Sequence, residues 1–308
     1  MSLSATLEVV LGLSFLFAIL SLVASGINEL IAAAFKLRAK TLEQGVQNLL
    51  ADPAEAQAIY DHPLIQSLYR SNRLPSYIPR DKFALALIDN KINVALTATR
   101  GQINDVEAAI QNLPDGRVKK TFDVLWREAR GDANRFRRNV ERWFDDGMER
   151  VSGWYRRLTQ AILLSLGVVI ALALNVNTIT VTQRLWSDAP LRTAIVKEAQ
   201  EAVPPPAADQ QGVKDALTNV QSGLSAISGL SLPIGWGKTN RPDSAGSWVI
   251  ALVGWLLTAV ALSMGAPFWF DLLGRVARLR SSGVRPPTSL PPSAEAEPVD
   301  GDEVQAGS

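Results

Sequence analysis

"NVERWFDDGMERVSGWYRRLTQAILLSLGVVIALALNV", residues 139–176, changes character half-way along. Its first 22 positions carry four acids, four arginines and four aromatic residues, and the remaining sixteen carry no charge at all. Dense charge invites reading the first half as an active site. The apolar half that follows invites reading it as the entrance to a membrane helix, and the fold depends on which is right.

Helical periodicity favours the second reading. At 100° per residue, Phe136, Val140, Trp143, Phe144, Met148, Val151, Trp154, Tyr155 and Leu158 fall within an arc of about 140°. Arg138, Arg142, Asp145, Asp146, Glu149, Arg156 and Arg157 take the other side. Asp146 lies four residues from both Arg142 and Arg150, a spacing at which opposite charges support a helix. Carboxylates at Asp145, Asp146 and Glu149 do not all point one way, and no histidine lies near them, so metal binding or acid–base work is disfavoured. Trp143, Phe144, Trp154 and Tyr155, with Arg156 and Arg157, are what a helix at headgroup depth carries. Packing of the same face against the protein's own helices is an equally ordinary reading.

Two further apolar runs accompany 161–176: "LEVVLGLSFLFAILSLVAS" (7–25) and "WVIALVGWLLTAVALSMGA" (248–266), with no Asp, Glu, Lys or Arg after Glu8. A bilayer core of about 30 Å needs about 20 apolar helical residues. The first and third runs nearly supply these alone, and the second reaches them by borrowing its flanks. The soluble alternative, a buried core helix, fits the second run best. "LVASG" offers small residues for signal cleavage, but no base precedes the run and it exceeds the usual 7–15 residues or so of a signal core, so it reads as a retained anchor.

The remainder organises around these spans. With 308 residues and a formal net charge of +1, the chain has no electrostatic bias towards nucleic acid. Cysteine is absent and histidine occurs once, which excludes disulfide scaffolds, Cys/His zinc sites and cysteine nucleophiles. No cofactor is implied. Lys36, Arg38 and Lys40 follow the first span, Arg156 and Arg157 precede the second, and Arg275, Arg278 and Arg280 follow the third, which places those flanks in the cytoplasm and the N-terminus outside. The expected division is an anchor (1–25), a cytoplasmic helical domain ending in an amphipathic juxtamembrane helix (26–157), a second span (158–176), a small extracytoplasmic helical segment (177–247), a third span (248–267), a cytoplasmic interfacial helix (268–280) and a disordered tail (281–308) rich in Pro, Ser and acids. The fold class is thus an all-α membrane protein with three transmembrane helices.

Local signals refine this plan. "INELIAAAFKLRAKTLEQGVQNLL" is expected to carry the first span's helix onward into water, and Asp81 to cap "KFALALIDNKI". "INDVEAAIQNL" and "VKKTFDVLWREARGDANRFRRNVERWF" supply helices divided by "PDG". Pro267 is expected to break the third span, with Phe268, Trp269 and Phe270 at the boundary and Arg275 and Arg278 on a basic face beyond it. Outside, "RLWSDAPLRTAIVKEAQEAV" reads as one helix before a "PPP" break. Val213, Leu217, Val220, Leu224 and Ile227 then form a seam suited to a hairpin or short coiled coil. "LPIGWGKT" ends like a phosphate-binding loop, but Leu232 stands where that loop needs glycine. His62 stands alone before a proline and reads as structural. Ser21 and Ser25, or Gly167 and Ala171, are small enough at four-residue spacing to let helices approach closely.

"HPLI", "PSYIP" followed by "FALALID", "WFDDGMERVSGWYRR" leading into a span, "LPIGW" and "FWFDLLGRVARLR" together resemble an uncharacterised group of bacterial integral membrane proteins. The resemblance covers most of the chain apart from the tail and implies a bacterial membrane location, with nothing catalytic. The residues themselves favour a non-enzymatic inner-membrane scaffold or interaction protein, partnered by the lipid bilayer and by another protein or by copies of itself. An oligomeric channel or membrane-disrupting effector is the alternative; the spans carry no intramembrane charge of the kind that marks an ion path. An enzyme ranks last.

Overall fold

A computed structural model describes residues 3–69, 74–93, 106–201, 213–229, 232–237 and 240–281. Those residues form thirteen α-helices and one π-helical turn, with no strand among them. The helices are α1 (Leu3–Ala34), α2 (Leu37–Leu50), α3 (Pro53–Tyr60), α4 (Pro63–Gln66), α5 (Arg80–Ile88), α6 (Val106–Gln111), α7 (Arg117–Ala129), α8 (Ala133–Ala173), α9 (Thr178–Ser187), α10 (Ala189–Glu201), α11 (Val213–Gly229), α12 (Ala245–Ser263) and α13 (Ala266–Ser281). The π turn, Asp89–Asn93, directly extends α5. Three of the helices, α1, α8 and α12, are long and apolar enough to cross a membrane, as a multi-pass membrane protein requires.

The most consequential element is α8. It joins the amphipathic stretch and the second apolar run in one uninterrupted helix of 41 residues, about 60 Å long at 1.5 Å per residue. Its start is fixed locally: Arg130 and Gly131 turn through positive φ, and the Asp132 carboxylate accepts from the Arg135 N–H at 2.9 Å as an N-cap. The first half is the spine of a helical bundle. Phe136, Val140 and Phe144 enter a core shared with Val46, Phe83, Leu87, Ile110 and Phe122. Phe83 stacks on Phe144 with centroids 4.0 Å apart, and Phe122 meets Phe136 edge-on at 5.2 Å. Of the two readings open for the aromatic face, packing within the protein is therefore the one adopted by Phe136, Val140, Phe144 and Val151.

Several boundaries differ from expectation. The helix of the first span does not run into α2; it stops at Ala34, and Lys36 turns through φ 53°. Asp81 lies in the first turn of α5 and does not cap it, because Pro79 occupies the cap position. "RLWSDAPLRTAIVKEAQEAV" divides at Asp188, whose carboxylate accepts from the Leu191 N–H. The break after the third span falls at Gly265 (φ 83°), and Pro267 sits in the first turn of α13, where its missing N–H costs nothing. The "PPP" break and the tail beyond 281 lie outside the described residues.

In the apolar half, α1 is central. α10, α11, α13, α8 and α12 all pack on it, and Leu11, Leu16, Ala18, Leu20 and Ala24 are sealed from solvent. Ser21 is buried with its Oγ 3.4 Å from the Leu262 carbonyl. α11 lies along this helix, with Gly223 directly against Val23 and the Ile19 carbonyl. Of the expected seam, Val220 packs in this contact beside Gly223 and Ala226 and Leu217 and Leu224 are exposed, while the side chains of Val213 and Ile227 lie outside those described. Part of the segment assigned to the extracytoplasmic side thus lies beside the first span. α13, expected to be a surface helix, also packs on α1: Ala18, Ala266 and Phe270 form one cluster, and the Trp269 ring lies 4.8 Å from Phe17.

α8 and α12 cross where side chains are smallest. A Cβ on Gly167 would stand 2.7 Å from the Ala259 carbonyl oxygen, and Ala171 is sealed against Ala251 and Trp255. Beyond this crossing the C-terminal end of α8 needs partners for its last carbonyls. They come from the "LPIGW" segment: the Gly235 N–H donates to the Leu174 carbonyl at 2.7 Å, and Trp236 Nε1 donates to the Leu172 carbonyl at 2.9 Å. Asn175, in the left-handed region, donates to the Gly235 and Asn240 carbonyls and accepts from Trp255 Nε1. The segment that looks like part of a phosphate loop is a helix cap.

Candidate functional site at the membrane junction

Where the bundle half of α8 gives way to its apolar half, α2 crosses it on small residues. Gly45 receives Val151, and Gly147 receives Leu49. Close approach at these two points leaves a cavity on either side of the crossing, and both cavities take in residues of the charged stretch.

The larger cavity, about 630 Å³, follows one face of α8 from Phe144 through Met148, Ser152, Tyr155, Arg156 and Thr159 to Leu163. α2 and its N-terminal turn contribute Arg38, Thr41 and Leu42, the loop before α5 contributes Tyr77 and Ile78, and the end of α12 contributes Ser263 and Met264. Arg38 is held on both sides, donating to Glu29 at 2.8 Å and to the Tyr155 hydroxyl at 3.2 Å. The Tyr155 hydrogen bond, followed by the nearby Glu29 charge, raises the guanidinium pKa further above its usual value against the opposing effect of burial. Asp145 at the bundle end accepts from Arg80 at 2.8 Å. Arg156 is exposed at the cavity wall and forms no ion pair among the described residues.

The smaller cavity, about 440 Å³, lies on the opposite flank and is lined by Asn48, Arg117, Trp143, Arg150 and Trp154. Arg117 is anchored to the Asn48 carbonyl at 2.6 Å.

The eleven residues singled out in the sequence therefore separate. Trp143 and Trp154 line the smaller cavity, while Phe144, Tyr155 and Arg156 line the larger one. Arg157 is exposed on α8 outside both. Trp269 is half-buried, its Nε1 donating to the Ala261 carbonyl at 2.7 Å, a carbonyl near the break at Gly265. Phe268 is exposed, and Phe270 is buried against Ala18. Arg275 pairs with Asp271 at 2.7 Å, one turn back, and Arg278 is exposed on the same helix. Arg38, Thr41 and Met264 are junction residues the periodicity did not single out. Arg38 was visible only as a charge flanking a span, since its partner Tyr155 is 117 positions away.

The acids of the charged stretch do not converge. Asp145 pairs across to Arg80, Glu141 pairs with Arg137, and Asp146 forms no ion pair with Arg142 or Arg150; Arg142 instead donates to Asn139. Among the described residues no group of three or more His, Asp or Glu side chains is placed to hold a metal. His62 has both ring nitrogens engaged. Nδ1 accepts from the Leu64 N–H, capping α4, and Nε2 lies 3.1 Å from Asp89 Oδ2. That arrangement fixes the start of α4 onto the π turn after α5 and leaves no ring nitrogen for proton transfer to a substrate. Asp89 is held below the usual carboxylate range, first by the Asn93 amide and then by His62.

Comparison of the chain with family models, with curated proteins and with solved structures returns no match.

Proposed function

We propose that this protein is a non-enzymatic scaffold of the bacterial inner membrane, a member of the group its motifs resemble. Its helical bundle faces the cytoplasm and makes the decisive contacts with another protein. The observation that carries this reading is α8: one unbroken helix is both the spine of the bundle core and a membrane span. A bundle fixed in that way is held at a set height and orientation over the bilayer, as a docking platform must be. The orientation is supported by the basic residues Lys36, Arg38, Lys40, Arg156 and Arg157, which gather at the bundle end of the spans.

Two experiments test it. With no native cysteine in the chain, labelling of intact cells should modify an introduced cysteine at Ser187, exposed at the end of α9, and spare one at Ala54, exposed in α3. The reverse pattern refutes the orientation. For the scaffold itself, Val249, Ile250, Val253 and Val260 on the exposed face of α12 are replaced by leucine, matching Leu252, Leu256 and Leu257 beside them and keeping the packed face intact. A scaffold keeps its stoichiometric partner in mild detergent after this change. Ion conductance by the purified native protein, lost on the same replacement, establishes the channel instead.

A further inference from the structure

We propose that the larger junction cavity is a specific site for one anionic phospholipid, with the phosphodiester held beside Arg156 and Arg38 and the acyl chains rising along α8 and α12. The inference rests on the membrane-crossing character of α8 and α12 and does not depend on the scaffold reading.

Three features of the cavity point the same way. The first is size and place. About 630 Å³ falls within the range of small-molecule sites, and this volume opens where Leu163 begins one apolar run and Met264 closes the other. The second is the order of chemistry along α8. Phe144 and Met148 form an apolar floor in the bundle; Ser152, Tyr155, Arg156, Thr159 and Gln160 form a polar band over about two turns; Leu163 begins the apolar run. A phospholipid presents the last two zones in that order, a charged and hydrogen-bonding headgroup followed by hydrocarbon. On α12 the apolar wall continues one turn beyond Met264 in exposed Val260, a surface of the right polarity for an acyl chain.

The third feature is charge. Asp145 is answered by Arg80 and Glu29 by Arg38, which leaves Arg156 as the surplus cation of the wall. One surplus positive charge complements a phosphodiester with one net negative charge. It opposes the choline cation of a zwitterionic headgroup. Guanidinium groups bind phosphate through charge-assisted, often bidentate hydrogen bonds, and basic pockets between membrane helices are established headgroup sites. The Tyr155 hydroxyl fixes Arg38 in the wall, so the second guanidinium is already oriented before a headgroup arrives.

The test uses the full-length chain in mild detergent and native mass spectrometry with phosphatidylglycerol or phosphatidylcholine titrated in. One phosphatidylglycerol should bind in preference to phosphatidylcholine. Arg156→Gln should weaken that binding about tenfold or more, as loss of one charge-assisted contact implies. Arg157→Gln, one position along and outside the cavity, should leave it unchanged. Ser152→Trp, which fills the polar band without altering charge, should abolish it, and circular dichroism of each variant checks the fold. Equal binding of the two lipids overturns the proposal, as does equal loss from Arg156→Gln and Arg157→Gln, which would indicate diffuse surface attraction. Survival of tight binding in folded Ser152→Trp overturns the location. Displacement by glycerol 3-phosphate at concentrations matching the lipid would overturn the lipid source and assign the site to a soluble phosphate compound.

Discussion

α1 and the α8–α12 pair are all apolar enough to cross a bilayer, yet they meet opposite surroundings. Within the protein, 72% of the apolar window of α1 is buried, against 17% for that of α8 and 39% for that of α12. α1 is enclosed by other helices of the chain, whereas α8 and α12 display Leu164, Val169, Leu252, Leu256 and Val260 outward. Hydropathy reports only that a segment avoids water. Lipid and protein interior are both apolar, so the same composition serves a helix that faces one and a helix that faces the other.

The strongest way to break this comparison is to make the same substitution on both sides of it. Leu20→Ala removes a side chain with no exposure and leaves a cavity that lipid does not reach, which typically costs about 2–4 kcal/mol. Leu256→Ala removes one that is 61% exposed, and lipid fills the space, so the expected cost is under about 0.5 kcal/mol. Unfolding in mixed detergent, followed by circular dichroism, measures both. Equal costs would mean that α1 is not enclosed in the membrane.

The α8–α12 crossing gives a sharper but smaller effect. Gly167→Val would place Cβ 2.7 Å from a backbone oxygen and 3.0 Å from the Ala259 Cα, neither of which can swing aside as a side chain would. Overpacking of this kind costs about 1–3 kcal/mol. Gly153, on the same helix, has nothing within 4 Å of an added Cβ. Gly153→Ala should therefore stabilise α8 by about 0.5–1 kcal/mol, the helix-interior penalty of glycine. If both variants destabilise, α8 is not the continuous helix that joins bundle to span.

Much of this architecture was legible in the sequence. The run 7–25 lies wholly in its predicted helix, the runs 161–176 and 248–266 lie in theirs apart from their last three residues, and the small residues Ser21, Gly167 and Ala171 do sit at helix contacts. What was not legible depends on distant partners. A run as uniformly apolar as 7–25 has no polar face to show that it is enclosed. The seam at 213–227 has heptad spacing, but of Leu217, Val220 and Leu224 only Val220 packs inward, and Val23 and Ile19 lie against Gly223 beside it. "LPIGW" has a role only because the carbonyls of Leu172 and Leu174, about 60 residues earlier, need donors. The junction cavity is formed by four separate parts of the chain, and only its α8 wall was visible as a periodic stripe.

Acid should separate the bundle from the spans. Asp89, Asp115 and Asp132, all in the bundle, are held below the usual carboxylate range, chiefly by the Asn93 amide, the Lys119 ammonium and the Arg135 N–H respectively. A carboxyl with a depressed folded pKa gives stability that is complete above its unfolded pKa, about 3.9 for Asp, and that is lost as pH falls through the folded value. Lowering pH from 5 towards about 3 should then lower the unfolding midpoint of the bundle, while the apolar half changes little. Asp89→Asn should reduce this pH dependence. A midpoint that rises on acidification would contradict the sign.

The smallest expected effect concerns the acid that first gives residues 139–160 the look of an active site. Asp145 meets Arg80 at 2.8 Å, but the two side chains are 44% and 61% exposed, so solvent and salt screen their attraction. In 0.5 M salt, Asp145→Asn should match the native thermal midpoint to within about 1 °C. The double variant with Arg80→Gln should show no further loss. Its effect on lipid binding is also informative in direction: removing the carboxylate leaves Arg80 unanswered at the bundle end of the cavity and adds positive charge near the Arg156 wall. Affinity for phosphatidylglycerol should stay level or rise. If the folded Asp145→Asn protein loses its cellular role while Trp143→Ala and Trp154→Ala keep theirs, the carboxylate acts chemically. The charged stretch is then a reactive site carried on the membrane spine, not its packed and cavity-lining surface.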